Sequence, residues 1–207
     1  MPEDLPIYSD SMLRTSFQFG GLDKLKGHDA ASVWEKSDEY IAQLEGAKEA
    51  ARARKAFNQP ARQSLLELHA TLFSGREGAG RLRQTAIQPR YRGHDCPEPQ
   101  FIERSLDNFF NWRTAESVSQ IHPIEKAALM LTRIVDIWPF EYGNLTVAVM
   151  LANVFLREAG LTPLFVLPRD VKEFNLAVAR AMTIETQPLV NAIFKTIKRE
   201  MEAIAAR

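Results

Sequence analysis

The chain has 207 residues, of which 45% are hydrophobic and 25% are charged, and its 26 basic side chains balance its 26 acidic ones. Balanced charge argues against a dedicated nucleic-acid-binding protein, and ordinary apolar content argues against an intrinsically disordered chain. The single cysteine, Cys96, excludes a disulfide framework and a cysteine-rich zinc site. We therefore expect a cytoplasmic globular protein with no nucleic-acid partner.

The N-terminus and the longest apolar run bear on targeting. Met1 is followed by a proline and two acidic residues, and no apolar segment typical of a signal peptide comes next. The apolar run over 145–156 is about a dozen residues long, whereas a bilayer-spanning helix needs ~20. We expect no membrane association and interpret the run as a buried core helix.

Proline and glycine positions divide the chain into an N-terminal arm, 1–30, and a single domain, 31–207. Short alternation over 82–87, flanked by glycines and arginines, predicts a small β-hairpin or an extended flap. Apolar residues at three- and four-residue spacing predict helices over 31–57, 61–73, 99–114, 123–137, 142–159, 169–182 and 185–205. The predicted class is therefore all-α with a small β-hairpin flap.

Charge is uneven along the chain. Residues 48–92 contain 10 basic and 3 acidic side chains, a local charge of +7. A solvated surface neutralised by the rest of the chain explains this, and so does a basic rim around an anionic ligand or an acidic partner.

The segment that follows the predicted helix 123–137 and includes the start of the next one reads Trp138-Pro-Phe-Glu-Tyr-Gly-Asn-Leu145. Gly143 and Asn144 at a helix start leave backbone N–H groups pointing outward beside the positive end of the helix dipole, which suits phosphate. An ordinary helix cap explains the same pair.

These residues resemble the motif of the Fic family (the Fic/Doc, or Fido, fold), which is His-Pro-Phe, any residue, Asp or Glu, Gly-Asn-Gly-Arg, two residues, Arg. The family's preceding helix begins His-Pro and carries paired alanines, as His122-Pro123 and Ala127-Ala128 do here. The resemblance extends over about 40–165, with its core at 122–160. It implies an all-α Fic-type domain and descent from enzymes that transfer AMP from ATP to a protein hydroxyl.

The departures from the family motif bear on chemistry. Trp138 replaces the histidine that serves the family as general base, and an indole N–H cannot accept a proton. Tyr142 replaces the metal-binding acid, and a phenol is a poorer magnesium ligand than a carboxylate. Leu145 replaces the second glycine, and Thr146 and Val149 replace the two arginines. We therefore assign no catalytic residue and no metal ligand, and expect ATP and magnesium only if the site is active.

Other residues have candidate roles by the same resemblance. Glu141 and Arg83 are the replacement groups that an active site would use, although an exposed surface position for Arg83 is the simpler interpretation. Glu45 and Gly46 resemble the end of the family's inhibitory helix, and an ordinary surface glutamate before a glycine explains them equally well.

The histidines are interpreted as structural. We predict that His69 satisfies a buried polar contact and that His122 caps a helix start. The run His94-Asp95-Cys96 does not predict a metal site, since adjacent loop side chains rarely converge on one ion.

Three functions remain open at this point. The first is a catalytically degenerate Fic protein that binds another protein, with the flap at about 80–99 as the docking groove. The second is an active nucleotidyl or phosphate-group transferase with rebuilt catalytic residues. The third is a nucleotide sensor that uses Gly143 and Asn144 without turnover. The sequence does not define the oligomeric state.

Overall fold

A computed structural model describes residues 61–87, 94–162, 164, 166, 170–183 and 185–205. Over these residues the secondary structure is helical, with a short 3-10 turn at Pro99–Phe101 leading into the second α-helix. The α-helices of the described residues are α1 (Arg62–Leu72), α2 (Ile102–Arg113), α3 (Glu116–Ser119), α4 (Pro123–Ile137), α5 (Asn144–Glu158), α6 (Val171–Thr183) and α7 (Gln187–Ala205).

Helices α4 and α5 form the centre of the fold. A loop of six residues joins them, so they run antiparallel and pack along one another over most of their length. Small side chains at the contact allow close approach, because Ala127, Ala128, Ala148 and Ala152 are fully buried. The predicted buried core helix is confirmed, since every residue described over 145–153 is buried.

The remaining helices surround this pair. Helix α1 contacts α2 and α5, α2 also contacts α4, and α6 and α7 pack on each other and on α4. The apolar faces converge on one cluster that includes Leu65, Leu106, Phe174 and Ile193, each no more than 2% exposed.

Two helix ends illustrate how the sequence fixes the boundaries of α4. His122 caps the start of helix α4, because its Nδ1 accepts a hydrogen bond from the Ile124 N–H at 3.3 Å. The predicted cap is confirmed. The helix ends at Trp138, which adopts a left-handed conformation with φ 47°. A bulky residue at positive φ costs roughly 1–2 kcal/mol, so other contacts must hold this turn.

The helices predicted around the motif are confirmed, with ends shifted by a few residues. The short helix α3 was not predicted, because four residues are too few to show a helical period. The flap segments 81–87 and 94–98 contain no strand within the described residues, so the predicted β-hairpin is not observed there. The arm 1–30, the predicted helix 31–57 and the flap tip 88–93 lie outside the described residues. None of the described helices is long and apolar enough to cross a membrane.

Candidate functional site at the loop between the central helices

The candidate site is the loop 138–143, and the side chain of Asn144, the first residue of α5, holds the loop backbone in place. The Asn144 side chain accepts a hydrogen bond from the Phe140 N–H and donates one to the Phe140 carbonyl, each at 2.8 Å. Asn144 and Phe140 are both fully buried. The amide of Asn144, predicted as a residual phosphate-binding group, is thus bonded to the loop backbone.

His69 of α1 packs against this loop and is hydrogen-bonded to it. Its ring stacks on Phe140 with centroids 3.9 Å apart, its Nδ1 accepts from the Gly80 N–H at 2.9 Å, and its Nε2 donates to the Tyr142 carbonyl at 3.1 Å. These bonds require the neutral ring with the proton on Nε2. Burial is the main cause that lowers the pKa of His69 to about 4, so the ring is neutral at pH 7. The predicted buried polar role is confirmed.

Gly143 makes the close approach between this loop and the end of α1. Its φ is +72°, and a Cβ at this position would overlap the ring of Phe73. Phe73 therefore lies directly against the start of α5, where the family resemblance predicts a phosphate cradle. Sequence reasoning did not identify Phe73, because nothing in its local pattern distinguishes it from any apolar residue at a helix end.

Tyr142 extends outward from the loop and is engaged on both its hydroxyl and its ring. The hydroxyl donates to the Glu77 carbonyl at 2.8 Å, and the guanidinium of Arg76 lies 4.5 Å from the ring centroid. The Arg76 contact has cation–π geometry. The structure thus places the Arg76 cation against this loop, at a position that the motif comparison could not have found.

Glu141, predicted as a replacement catalytic group, is exposed beside the flap. Its carboxylate accepts a hydrogen bond from the Thr85 hydroxyl at 2.9 Å. This bond ties the outer face of the loop to the flap.

Arg83 corrects the expectation of an exposed surface arginine. The residue is 1% exposed, and its guanidinium donates to three backbone carbonyls: Trp138 at 2.7 Å, Thr85 at 2.8 Å and Pro97 at 2.5 Å. Its own N–H also donates to the Pro139 carbonyl at 2.9 Å. The expectation was wrong because the partners lie up to 55 residues away in the chain, where local composition gives no information. Arg83 joins both flap segments to the motif loop.

The four other substituted positions are buried in the core. Trp138 is 5% exposed, Leu145 4%, Thr146 0% and Val149 2%. None of these side chains carries a charge at neutral pH or a group able to serve as a general base.

Two other groups of residues were considered in the sequence, Glu45 with Gly46 and the run His94-Asp95-Cys96. Glu45 and Gly46 lie outside the described residues. His94 Nε2 is 2.9 Å from the Asp136 carbonyl, and the Cys96 sulfur is 3.8 Å from the same nitrogen. Burial raises the pKa of the Cys96 thiol. Within the described part of the chain, no three His, Cys, Asp or Glu side chains converge on a possible metal position.

The fold and the loop define an all-α domain organised around two antiparallel core helices whose connection carries a glycine–asparagine helix start. Residues 59–156 match the model of the Fic/DOC family. This part of the chain, just under half of its length, is similar to the Fic/DOC family.

Individual proteins show the same relationship. The chain is 30% identical over 128 residues to protein adenylyltransferase Fic of Nematostella vectensis, a match covering 62% of this chain and 30% of that protein. Among solved structures, Fic-1 of C. elegans (residues 134–508 of that protein) has a TM-score of 0.77 at 22% identity and covers 95% of this chain and 63% of that one. IbpAFic2 covalently tethered to Cdc42 has a TM-score of 0.62 at 16% identity, covering 96% and 66%.

These comparisons show that the chain is similar to proteins named protein adenylyltransferase Fic. The chain spans less than a third of the length of the Nematostella relative. The structural likenesses, all below 25% identity, concern the fold.

Proposed function

We propose that this chain is a catalytically degenerate Fic-domain protein that acts by binding another protein, with the flap segments as the docking surface. The observation that carries the proposal is the chemistry at the positions that the family resemblance assigns to the base and the two arginines. Trp138, Thr146 and Val149 occupy them, and all three are buried. General-base catalysis typically contributes ~10²–10⁴ in rate, and phosphate-directed cations supply much of the remaining stabilisation.

The residues at the start of α5 do not fit magnesium and a triphosphate. Tyr142 offers a phenol already bonded to the Glu77 carbonyl, and the Asn144 amide is bonded to Phe140. Phe73 lies against Gly143, where close approach of a phosphate would be needed. These side chains therefore offer neither a magnesium ligand nor a phosphate cradle for a transfer step.

The candidate replacement groups do not restore a transferase. Arg83 is buried among three carbonyls and has no open direction toward a ligand. Glu141 is exposed, and its carboxylate is bonded to the Thr85 hydroxyl of the flap. Arg76 lies over Tyr142 of the loop, and this position is the observation that favours the second candidate, a nucleotide sensor without turnover.

Protein binding is supported by the flap and by one neighbour. The fold neighbour IbpAFic2 is tethered to a protein, Cdc42. In this chain the flap segment 84–86 is exposed, and Arg83 fixes its backbone on the loop. A flap backbone that is already fixed is suited to binding an extended peptide, because less ordering entropy is lost on binding.

The decisive test of the first half of the proposal is a pair of nucleotide measurements. Calorimetric titration of ATP with magnesium should show no binding tighter than about millimolar, and radiolabelled ATP should transfer no label to the chain or to a lysate. The Nematostella relative serves as the positive control for the transfer assay. Micromolar binding without transfer would support the sensor instead, and transfer would restore the enzyme.

The second half is tested by site-specific photo-crosslinking. A photo-crosslinking residue at Gln84 in the flap should capture a discrete partner, whereas one at Asn108, exposed on α2, should not. Arg83→Ala should reduce capture at position 84, because it releases the flap from the loop. Equal capture at positions 84 and 108 would overturn the flap assignment.

A further inference from the structure

Helices α6 and α7, at the C-terminal end of the described chain, enclose a groove that the proposed function does not use. Its volume is about 280 Å³, and it runs from Glu173 and Lys195 to Arg180 and Pro188, where α6 ends and α7 begins. It lies outside the part of the chain that matches the family model, residues 59–156. An inference about it is independent of the function proposed above.

The groove carries one excess positive charge. Lys195 and Glu173 form an exposed ion pair at 3.4 Å, and these two charges compensate each other. Arg180 also lines the groove, and its exposed guanidinium forms no hydrogen bond or ion pair with the residues that the structure describes. The N-terminal end of α7 is at the same end of the groove and adds a positive helix dipole.

Polar and apolar groups alternate along the groove wall. The Asn191 side chain accepts a hydrogen bond from Gln187, which leaves its amide N–H groups available as donors in the groove. Leu176 is 56% exposed and lines the same groove with Pro188, above a floor formed by Ala177. A large exposed leucine shares the groove with Arg180, which is unpaired among the described residues, and a partner with matching chemistry would cover both.

We propose that this groove docks a partner protein through an acidic side chain next to a branched aliphatic one. The carboxylate pairs with Arg180 and accepts a hydrogen bond from Asn191, while the aliphatic side chain packs on Leu176 and Pro188. A single negative charge matches the one excess positive charge of the groove, whereas a phosphate dianion would leave the groove with excess negative charge. The volume of about 280 Å³ accommodates these two side chains.

The proposal is tested by NMR titration of the full chain with N-acetyl-Leu-Glu methylamide and with its Gln analogue. The Glu probe should shift the backbone amides of Leu176, Ala177, Asn191 and Ala192, with an affinity about two- to five-fold higher than the Gln probe, as measured for exposed ion pairs. Arg180→Gln should remove that ratio. Lys172→Gln, an exposed cation on α6 that does not line the groove, should preserve it.

Several outcomes would overturn the proposal. These are the absence of shifts in the groove up to about 20 mM probe, well above the millimolar range of weak complexes, or equal affinities for the two probes. A ratio that survives Arg180→Gln would also exclude the assigned ion pair. Binding of free 4-methylpentanoate as tight as that of the peptide would indicate a small-molecule site rather than a protein-docking groove.

Discussion

At the scale of single residues, the loop between α4 and α5 is held by one local side chain, Asn144, and by others whose partners lie far along the chain. Asn144 secures Phe140, His69 secures Tyr142 and Gly80, and Gly143 makes room for Phe73. Each contact uses a property specific to its residue type: an amide that donates and accepts, a neutral imidazole, or a missing Cβ. Single substitutions here therefore have sharply defined consequences.

Gly143→Ala tests the contact between the loop and Phe73. The substitution adds the strain of a non-glycine residue at φ +72° and an overlap with the Phe73 ring. Gly160→Ala is a matched control, because Gly160 has φ +75° with nothing within 4 Å of an added Cβ. We expect the control to lose about 1 kcal/mol of unfolding free energy and Gly143→Ala to lose roughly 1–3 kcal/mol more, measured by urea denaturation. Equal losses would show that the Phe73 contact is not tight.

His69 makes stability depend on pH. Its pKa is lowered from 6.5 to about 4 in the folded protein, so the unfolded chain takes up a proton at a pH where the folded protein does not. The contribution of the neutral His69 ring to the free energy of unfolding is complete above pH 6.5. It is lost as the pH falls toward 4, and the total loss is about 3 kcal/mol. The check is an NMR titration of the His69 ring, which should remain neutral to about pH 4. A midpoint near 6.5 would contradict the buried, bonded ring.

At the scale of elements, polar contacts rather than strand pairing hold the described flap segments to the core, and the Arg83 guanidinium is the group that joins both segments to the loop. Arg83 reaches the loop at Trp138 and the second flap segment at Pro97. Without the side chain, the backbone bond from the Arg83 N–H to the Pro139 carbonyl remains. The position of the flap therefore depends on a side chain with several donors in a fixed planar geometry.

Arg83→Lys should separate the effect of charge from the effect of geometry. A single ammonium cannot reach all three carbonyls, so we expect a loss of about 1–3 kcal/mol and faster amide exchange over 81–87 and 138–141. Arg81→Lys is the control, because Arg81 is exposed and its side chain forms no bond with the described residues. Unchanged exchange in Arg83→Lys would show that the flap is held by other contacts.

At the scale of the whole molecule, the domain retains the Fic/DOC fold while the positions assigned to chemistry are apolar or engaged. We expect Trp138→His to leave AMP transfer at background in the radiolabel assay. A restored base still lacks cations at positions 146 and 149, where the helix is buried. Transfer by this single variant above that of a heat-denatured sample would contradict the degenerate site.

The sequence by itself determined the long helices of the described core and the resemblance to the Fic/DOC family. Apolar spacing along 123–137 and 145–156 records burial on a helix face, and this signal is local, so it survives without knowledge of the partner helix. The same holds for His122, which caps the helix it precedes. The motif residues identified the loop because they are contiguous in the chain.

Only the tertiary structure decided which distant residues hold that loop. Arg83 and Trp138 are separated by 55 residues, and His69 and Tyr142 by 73, so no local spacing relates them. The burial of Arg83 follows from three backbone carbonyls that meet only once the helices have packed, since a buried guanidinium is stable where its donors are satisfied. Local periodicity records which face of an element is buried, whereas the pairing of polar groups across the core depends on where folding places them.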